Sequence, residues 1–292
     1  SSDVCSSDLA TLYALGAIAL WVTLASLGVA LRHVPPFLLT GVALLIGSTL
    51  ALPFVARDRQ QWKIPARTLL LGVYGLFGYH FLLFIALRLA PPVEANLVNY
   101  LWPLLMVVLS PLLLRNVHLR AMHVAAALMG FAGAAVAILG ANASPAGSLA
   151  ISGTWSWGYL PALGSALIWA SYSLWTQRVP AFPTAAVGLF GLVSGVLSLL
   201  CHWVLEPQVV LSGQDWLLLG LLGLGPLGAA FFLWDKALKL GDARHIGILS
   251  YITPLASTSL LMVVSGRPFS WSIALSAAMI ISAALLGTRA RR

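Results

Sequence analysis

Acidic side chains are scarce in this chain: Asp and Glu number 8 against 16 Lys and Arg in 292 residues. Charged residues of both signs reach only 8%, roughly a third of the ~25% usual in soluble domains. That poverty excludes a fold whose surface is solvated by water. Cysteine is rarer still. Cys5 and Cys201 are the only two, which gives no disulfide framework and no metal-ligand spacing. Gly-x-Ser-x-Gly and His-Glu metal patterns are also absent from the sequence, so no hydrolase elbow, metal or cofactor is expected.

What the chain does have is apolar length. Sixty per cent of it is hydrophobic, and the mean hydropathy is +0.95. Runs of roughly 20 apolar residues, enough to cross ~30 Å of hydrocarbon as helix, follow one another at about 10–31, 37–56, 68–89, 93–114, 121–141, 156–177, 184–205, 215–237, 243–265 and 270–288. The expected fold is an all-α membrane protein of ten transmembrane helices with short connections. The net charge of +8 does not point to nucleic acid, because the basic residues sit at helix ends and not along one face. With the N-terminus in the cytoplasm, 13 of the 16 fall on that side and only Arg32, Arg88 and Arg267 on the other. That bias places both termini in the cytoplasm of a cell whose inner membrane holds the chain.

The chain also repeats itself. Tyr100-Leu101-Trp102-Pro103 returns 151 residues later as Tyr251-Ile252-Thr253-Pro254, and Ala86-Leu87-Arg88-Leu89 returns at the same offset as Ala237-Leu238-Lys239-Leu240. At an offset of 148, Trp21 falls on Trp169, Pro35 on Pro183 and Gly47 on Gly195. The expected division is repeat 1 at 10–141, a periplasmic Ala/Ser/Gly-rich linker at 142–155, repeat 2 at 156–288 and a cytoplasmic basic tail at 289–292. Five helices per copy is an odd number, so the two copies face opposite ways in the bilayer. An inverted repeat with the same helix broken in each half is the sequence signature of a transporter. Residues 1–9 fit nothing that follows and read as translated adapter sequence, outside the native fold.

Ten helices in two copies, a Trp in the first helix of each, and an Ala-Leu-basic-Leu stretch leading to Tyr-x-x-Pro resemble the EamA-type family of the drug/metabolite transporter superfamily. Within it, Tyr79-His80 and Asn99-Tyr100-Leu101-Trp102-Pro103 are similar to the bacterial branch that exports aromatic amino acids. The resemblance implies a secondary exporter working by alternating access, with a small amino acid or aromatic metabolite as its partner and no enzymatic step. The first helix, from Ala10 to Leu31, holds no acid, unlike the small multidrug resistance branch, whose proton-exchanging glutamate sits there. A proton antiport cycle of that kind is therefore not expected.

The candidate site follows from the breaks. Pro103 cannot donate to the carbonyl of Asn99, nor Pro254 to that of Ser250, so each leaves a mid-membrane carbonyl in need of a partner. Asn96, Asn99, Ser250 and Tyr251 lie on the same turns, and these residues are expected to line the cavity. Trp102 and Trp169 are expected to stack on a flat solute, with Tyr79, His80, Tyr100 and Asn99 orienting its polar ends. Trp21, Tyr172, Trp175 and Trp234 also lie within spans, whereas Trp62, Trp155, Trp157, Trp216 and Trp271 sit near helix ends as an interfacial belt. Asp235 reads as a rim partner of the basic residues around it. Four alternatives stay open: other amino acids, aromatic cations of the drug type, an intramembrane hydrolase built on Ser198 and His202, and a structural or scaffolding membrane protein, which would leave the paired broken helices unexplained. A ten-helix bundle with an internal pseudo-dimer is expected to work as a monomer.

Overall fold

A computed structural model describes residues 2–115, 117–141, 155–264 and 271–289. Among the described residues every regular element is helical. Eight helices are long and apolar enough to cross a membrane: Ser7–Ala30, Pro36–Arg57, Ala66–Leu89, Pro92–Leu113, Ala121–Gly140, Ala186–Leu205, Gly213–Leu240 and Ala243–Val264. Two shorter ones, Tyr159–Trp175 and Trp271–Gly287, occupy the places expected for the sixth and tenth spans. The spans are numbered below in chain order on that basis. The expected linker lies outside the described residues apart from Trp155, and the basic tail apart from Arg289. The helix of the first span starts at Ser2, so the unusual opening segment continues it.

Local chemistry sets where the spans begin. Pro36 and Pro92 open the second and fourth spans at the first helical position, where a missing N–H is harmless and φ is already helical. The eighth span opens with a reciprocal cap. The Ser212 hydroxyl accepts from the Asp215 amide, and the Asp215 carboxylate accepts from the Ser212 amide. Such caps satisfy helix-end groups that water reaches poorly at a membrane face.

The packing between halves has a twofold pattern. The second span packs on the seventh and the fifth on the tenth, each on its own repeat mate. The first packs on the eighth as the sixth packs on the third, which is the same contact with the repeats exchanged. Close approach needs small residues, since apolar helices in lipid gain little from hydrophobic burial against each other. A methyl group at Gly47 would lie 2.8 Å from Cα of Gly228, so the second and eighth spans meet backbone to backbone. Gly220, on the same eighth span, faces open space instead.

Two features of the backbone repeat as well. The third span carries a π-helical turn at Tyr74–Gly78 and the eighth carries one at Gly225–Ala229. The separation is 225 − 74 = 151 residues, the offset already seen in the sequence. In the eighth span Pro226 removes a backbone donor, and in the third Gly75 and Gly78 lower the cost of departing from the α-helix. The fourth and ninth spans break as expected, though just before the prolines. Helix Pro92–Asn99 gives way to Trp102–Leu113, and Ala243–Leu249 to Ile252–Val264. The Ser250 carbonyl accepts the Thr253 amide at 3.0 Å, a tighter turn that supplies one of the partners the prolines were expected to leave missing.

Candidate functional site

The repeat mates Trp21 and Trp169 meet between the halves, ring centroids 6.0 Å apart and edge to face. Around them gather Trp102, Trp234, Tyr79, Tyr172 and Phe231. Trp169 alone lies within 5.3 Å of Tyr79, 5.4 Å of Tyr172, 5.7 Å of Phe231, 6.2 Å of Trp234 and 6.3 Å of Trp102. Trp102 stands edge-on to Trp234 at 5.6 Å. Edge-to-face and offset contacts of this kind contribute ~0.5–1.5 kcal/mol per pair beyond area burial. The four tryptophans come from the first, fourth, sixth and eighth spans, so the cluster draws on both halves.

The helix defects feed this cluster. Trp21 donates its indole N–H to the Pro226 carbonyl of the second π-turn at 3.1 Å. His80 donates from Nδ1 to the Leu76 carbonyl of the first at 2.6 Å. One ring nitrogen of His80 is therefore committed to its own span, which leaves Nε2 as its remaining polar atom. Trp234 is fixed by a bond from its indole N–H to Ser173 Oγ at 3.2 Å.

Polar groups collect at the Tyr79 side of the rings. Asn99 is buried, donates from Nδ2 to the Tyr79 hydroxyl at 3.1 Å, and accepts from Ser165 Oγ at 2.9 Å. Trp102 and Asn99 thus reach the cluster from opposite sides of one break. Tyr100 and Asn96 are half-buried, and Tyr100 has no ring contact among the described residues. Pro103 is buried where the ninth span crosses, its carbonyl 3.3 Å from the place a methyl on Gly247 would take.

The second break is arranged differently. Ser250 is fully buried and returns its hydroxyl to the Ile246 carbonyl at 2.9 Å. Pro254 is buried. Tyr251 turns away from the ring cluster and packs with Phe131, Ala134 and Ile280 on the fifth and tenth spans. The absence of a side chain at Gly130 makes room for it, since a methyl there would sit 2.4 Å from the Tyr251 ring. The structure therefore brings Trp102, Trp169, Tyr79, His80 and Asn99 together and leaves Tyr251 and Ser250 apart from them.

Two residues of the cluster lay outside the sequence-based expectation. Phe231 is the repeat mate of His80, since 80 + 151 = 231, and the two rings meet at 6.4 Å. The same offset that aligned the breaks marks it. Ser165 carried no such signal, because its counterpart at offset 148 is Ala17.

Charge is confined to the ends of the spans. Asp235 pairs with Lys239 at 2.6 Å and accepts from Thr184 at 2.7 Å. At the opposite face the buried Glu206 accepts from the Phe37 amide at 3.0 Å, the Leu38 amide at 3.2 Å, Arg88 at 2.8 Å and His202 Nδ1 at 3.0 Å. His202 is thus engaged by a carboxylate, and Ser198 Oγ has no hydrogen-bond partner among the described residues. The expected interfacial Trp155, Trp157, Trp216 and Trp271 are exposed, whereas Trp62 is anchored by a bond to the Ala185 carbonyl at 2.9 Å.

A family model described as the EamA-like transporter family matches the chain twice, over residues 8–139 and 156–289. The chain is 43% identical over 290 residues to the aromatic amino acid exporter YddG of Ancylobacter novellus, covering 97% of this chain and 98% of that one. It is 28% identical to the exporter of the same name in Salmonella typhimurium, covering 96% and 97% of the two chains. The corresponding figure for Escherichia coli is 29%, covering 95% and 96%. A solved crystal structure superposes with a TM-score of 0.87 at 41% sequence identity, covering 98% of this chain and 99% of that one.

Proposed function

The chain belongs to the EamA-like transporter family, and on that premise we propose that it exports aromatic amino acids across the inner membrane of a bacterium. The observation that carries the proposal is the ring cluster itself, built from both halves and edged by Tyr79, Asn99 and Ser165. Flat apolar faces beside a small polar group match an aromatic side chain joined to an amino acid's charged end. The names of three relatives point to the same solute class.

In this proposal ten spans form two inverted sets of five, with both termini cytoplasmic and one chain sufficient for transport. Trp102 and Trp169 stack on the solute, while His80, Tyr100 and Asn99 orient its polar ends. The rings now lie on one another, so a solute enters only as the halves part and the indoles exchange ring-on-ring contact for ring-on-solute contact. Rocking one half against the other then exposes the site to either face in turn.

The test is exchange of labelled tryptophan in proteoliposomes. Trp102→Ala removes ring contacts with Trp169 and Trp234. If a solute ring takes over those two contacts, the loss is about 1–3 kcal/mol, roughly 5- to 150-fold in affinity. Trp271→Ala, at a residue 84% exposed, should change little. Equal loss in both variants would refute the assignment of the site.

A further inference from the structure

We propose that Ser165, Asn99 and Tyr79 form a directional hydrogen-bond relay that reads the carboxylate of the solute. This rests on the aromatic amino acid reading of the site and specifies which end of the solute faces which residue.

The direction comes from the bonds. Ser165 is fully buried on the sixth span, and its hydroxyl is shared between the Asn99 side-chain oxygen at 2.9 Å and its own Ala162 carbonyl at 2.7 Å. With its oxygen so engaged, Asn99 presents its NH2 group to the Tyr79 hydroxyl at 3.1 Å. Tyr79 accepts that bond, so its own proton must be directed elsewhere. Among the described residues no protein acceptor receives that proton. The relay therefore ends in a donor.

A donor beside the Trp169 ring selects for an acceptor-only group on an aromatic solute. A carboxylate is such a group, and a charged acceptor makes the stronger kind of hydrogen bond. An ammonium or a quaternary amine offers no acceptor and would meet a proton. Each bond in a chain also polarises the next, so Ser165 strengthens a donor it does not touch. Ser165 and Asn99 are positioning residues here, and Tyr79 is the contact. The relay exists once, since the counterparts of Tyr79 and Ser165 in the other repeat are Ala230 and Ala17. The solute's orientation is therefore fixed.

The experiment compares two competitors of labelled tryptophan exchange in proteoliposomes: unlabelled tryptophan and tryptophanamide, which keeps the ring and the amine but lacks the carboxylate. Wild type should favour tryptophan roughly ten- to hundredfold, the range for a hydrogen bond to a charged group. In Tyr79→Phe that preference should collapse to about threefold or less, and in Ser165→Ala it should fall several-fold. Damage to packing weakens both competitors alike and leaves their ratio unchanged. Equal competition in wild type, or a wild-type ratio retained in both variants, overturns the relay while leaving export standing. A wild type that does not exchange tryptophan overturns the proposed function, and the relay with it.

Discussion

Replacing Gly47 with alanine puts a methyl carbon 2.7 Å from the Gly223 carbonyl oxygen, 2.8 Å from Cα of Gly228 and 2.9 Å from the Leu227 carbonyl oxygen. All three are backbone atoms flanking or inside the second π-turn, so no rotamer change relieves the clash. Favourable contact begins near 3.5 Å, so the second and eighth spans must separate by about 0.8 Å. Overpacking of that kind costs ~1–3 kcal/mol, against which alanine gains ~0.5–1 kcal/mol over glycine in a helix. Gly220→Ala collects the gain alone, since a methyl there meets nothing within 4 Å. The difference between the two variants isolates the clash at about 1–3 kcal/mol. Thermal unfolding of the detergent-solubilised protein should therefore place Gly47→Ala several degrees below Gly220→Ala. Coincident midpoints would refute the backbone approach at the π-turn. They would also remove the argument that this crossing needs glycine.

The Glu206 network makes a second prediction. Glu206→Ala strands Arg88 and two amides at the start of the second span, and should cost about 3–5 kcal/mol in unfolding experiments. Arg88→Ala should cost much less, because its side chain is 44% exposed and the carboxylate keeps its amide and His202 donors; equal losses would refute the ranking. A third prediction concerns topology. Single cysteines at Gly16 and Gly164 should respond to membrane-impermeant thiol reagents from opposite sides, and labelling from the same side would refute the inverted arrangement.

Most of the span positions were legible because apolar length is a one-dimensional property, and a helix crossing lipid leaves it no alternative. The repeat offset added more. It located both breaks and paired Trp21 with Trp169, which touch in the structure. The same offset carries His80 onto Phe231. Other parts depend on distance through space. Glu206 looks like an ordinary helix-end acid until it is seen to hold the Phe37 amide, 169 residues away, and Arg88, 118 residues away. Ser165 is one of several serines on apolar spans, and only Asn99 across the interface gives it a role. The π-turns were hidden for another reason. Gly75 and Gly78 are unremarkable in a membrane helix, and the expected breaks were assigned to Pro103 and Pro254 alone.

The repeat also fails in an informative way. Backbone features obey it: the π-turns recur at 151 residues and the breaks within one residue of that spacing. Side chains at the site do not. Trp102 corresponds to Thr253, Asn99 to Ser250 and Tyr79 to Ala230. Tyr100 and Tyr251 keep the same identity yet differ in burial, and Gly130 makes room for the fully buried Tyr251. A lining that kept strict twofold symmetry would offer the same groups to a solute in either of two orientations. An aromatic amino acid has its ring at one end and its charged groups at the other, so it needs a pocket that distinguishes them. Duplication supplied helix breaks and crossings in matched pairs, which suits the proposed motion between two states. In the proposed site, divergence of the residues beside those breaks then provides an aromatic side and a polar side, which is what recognition requires.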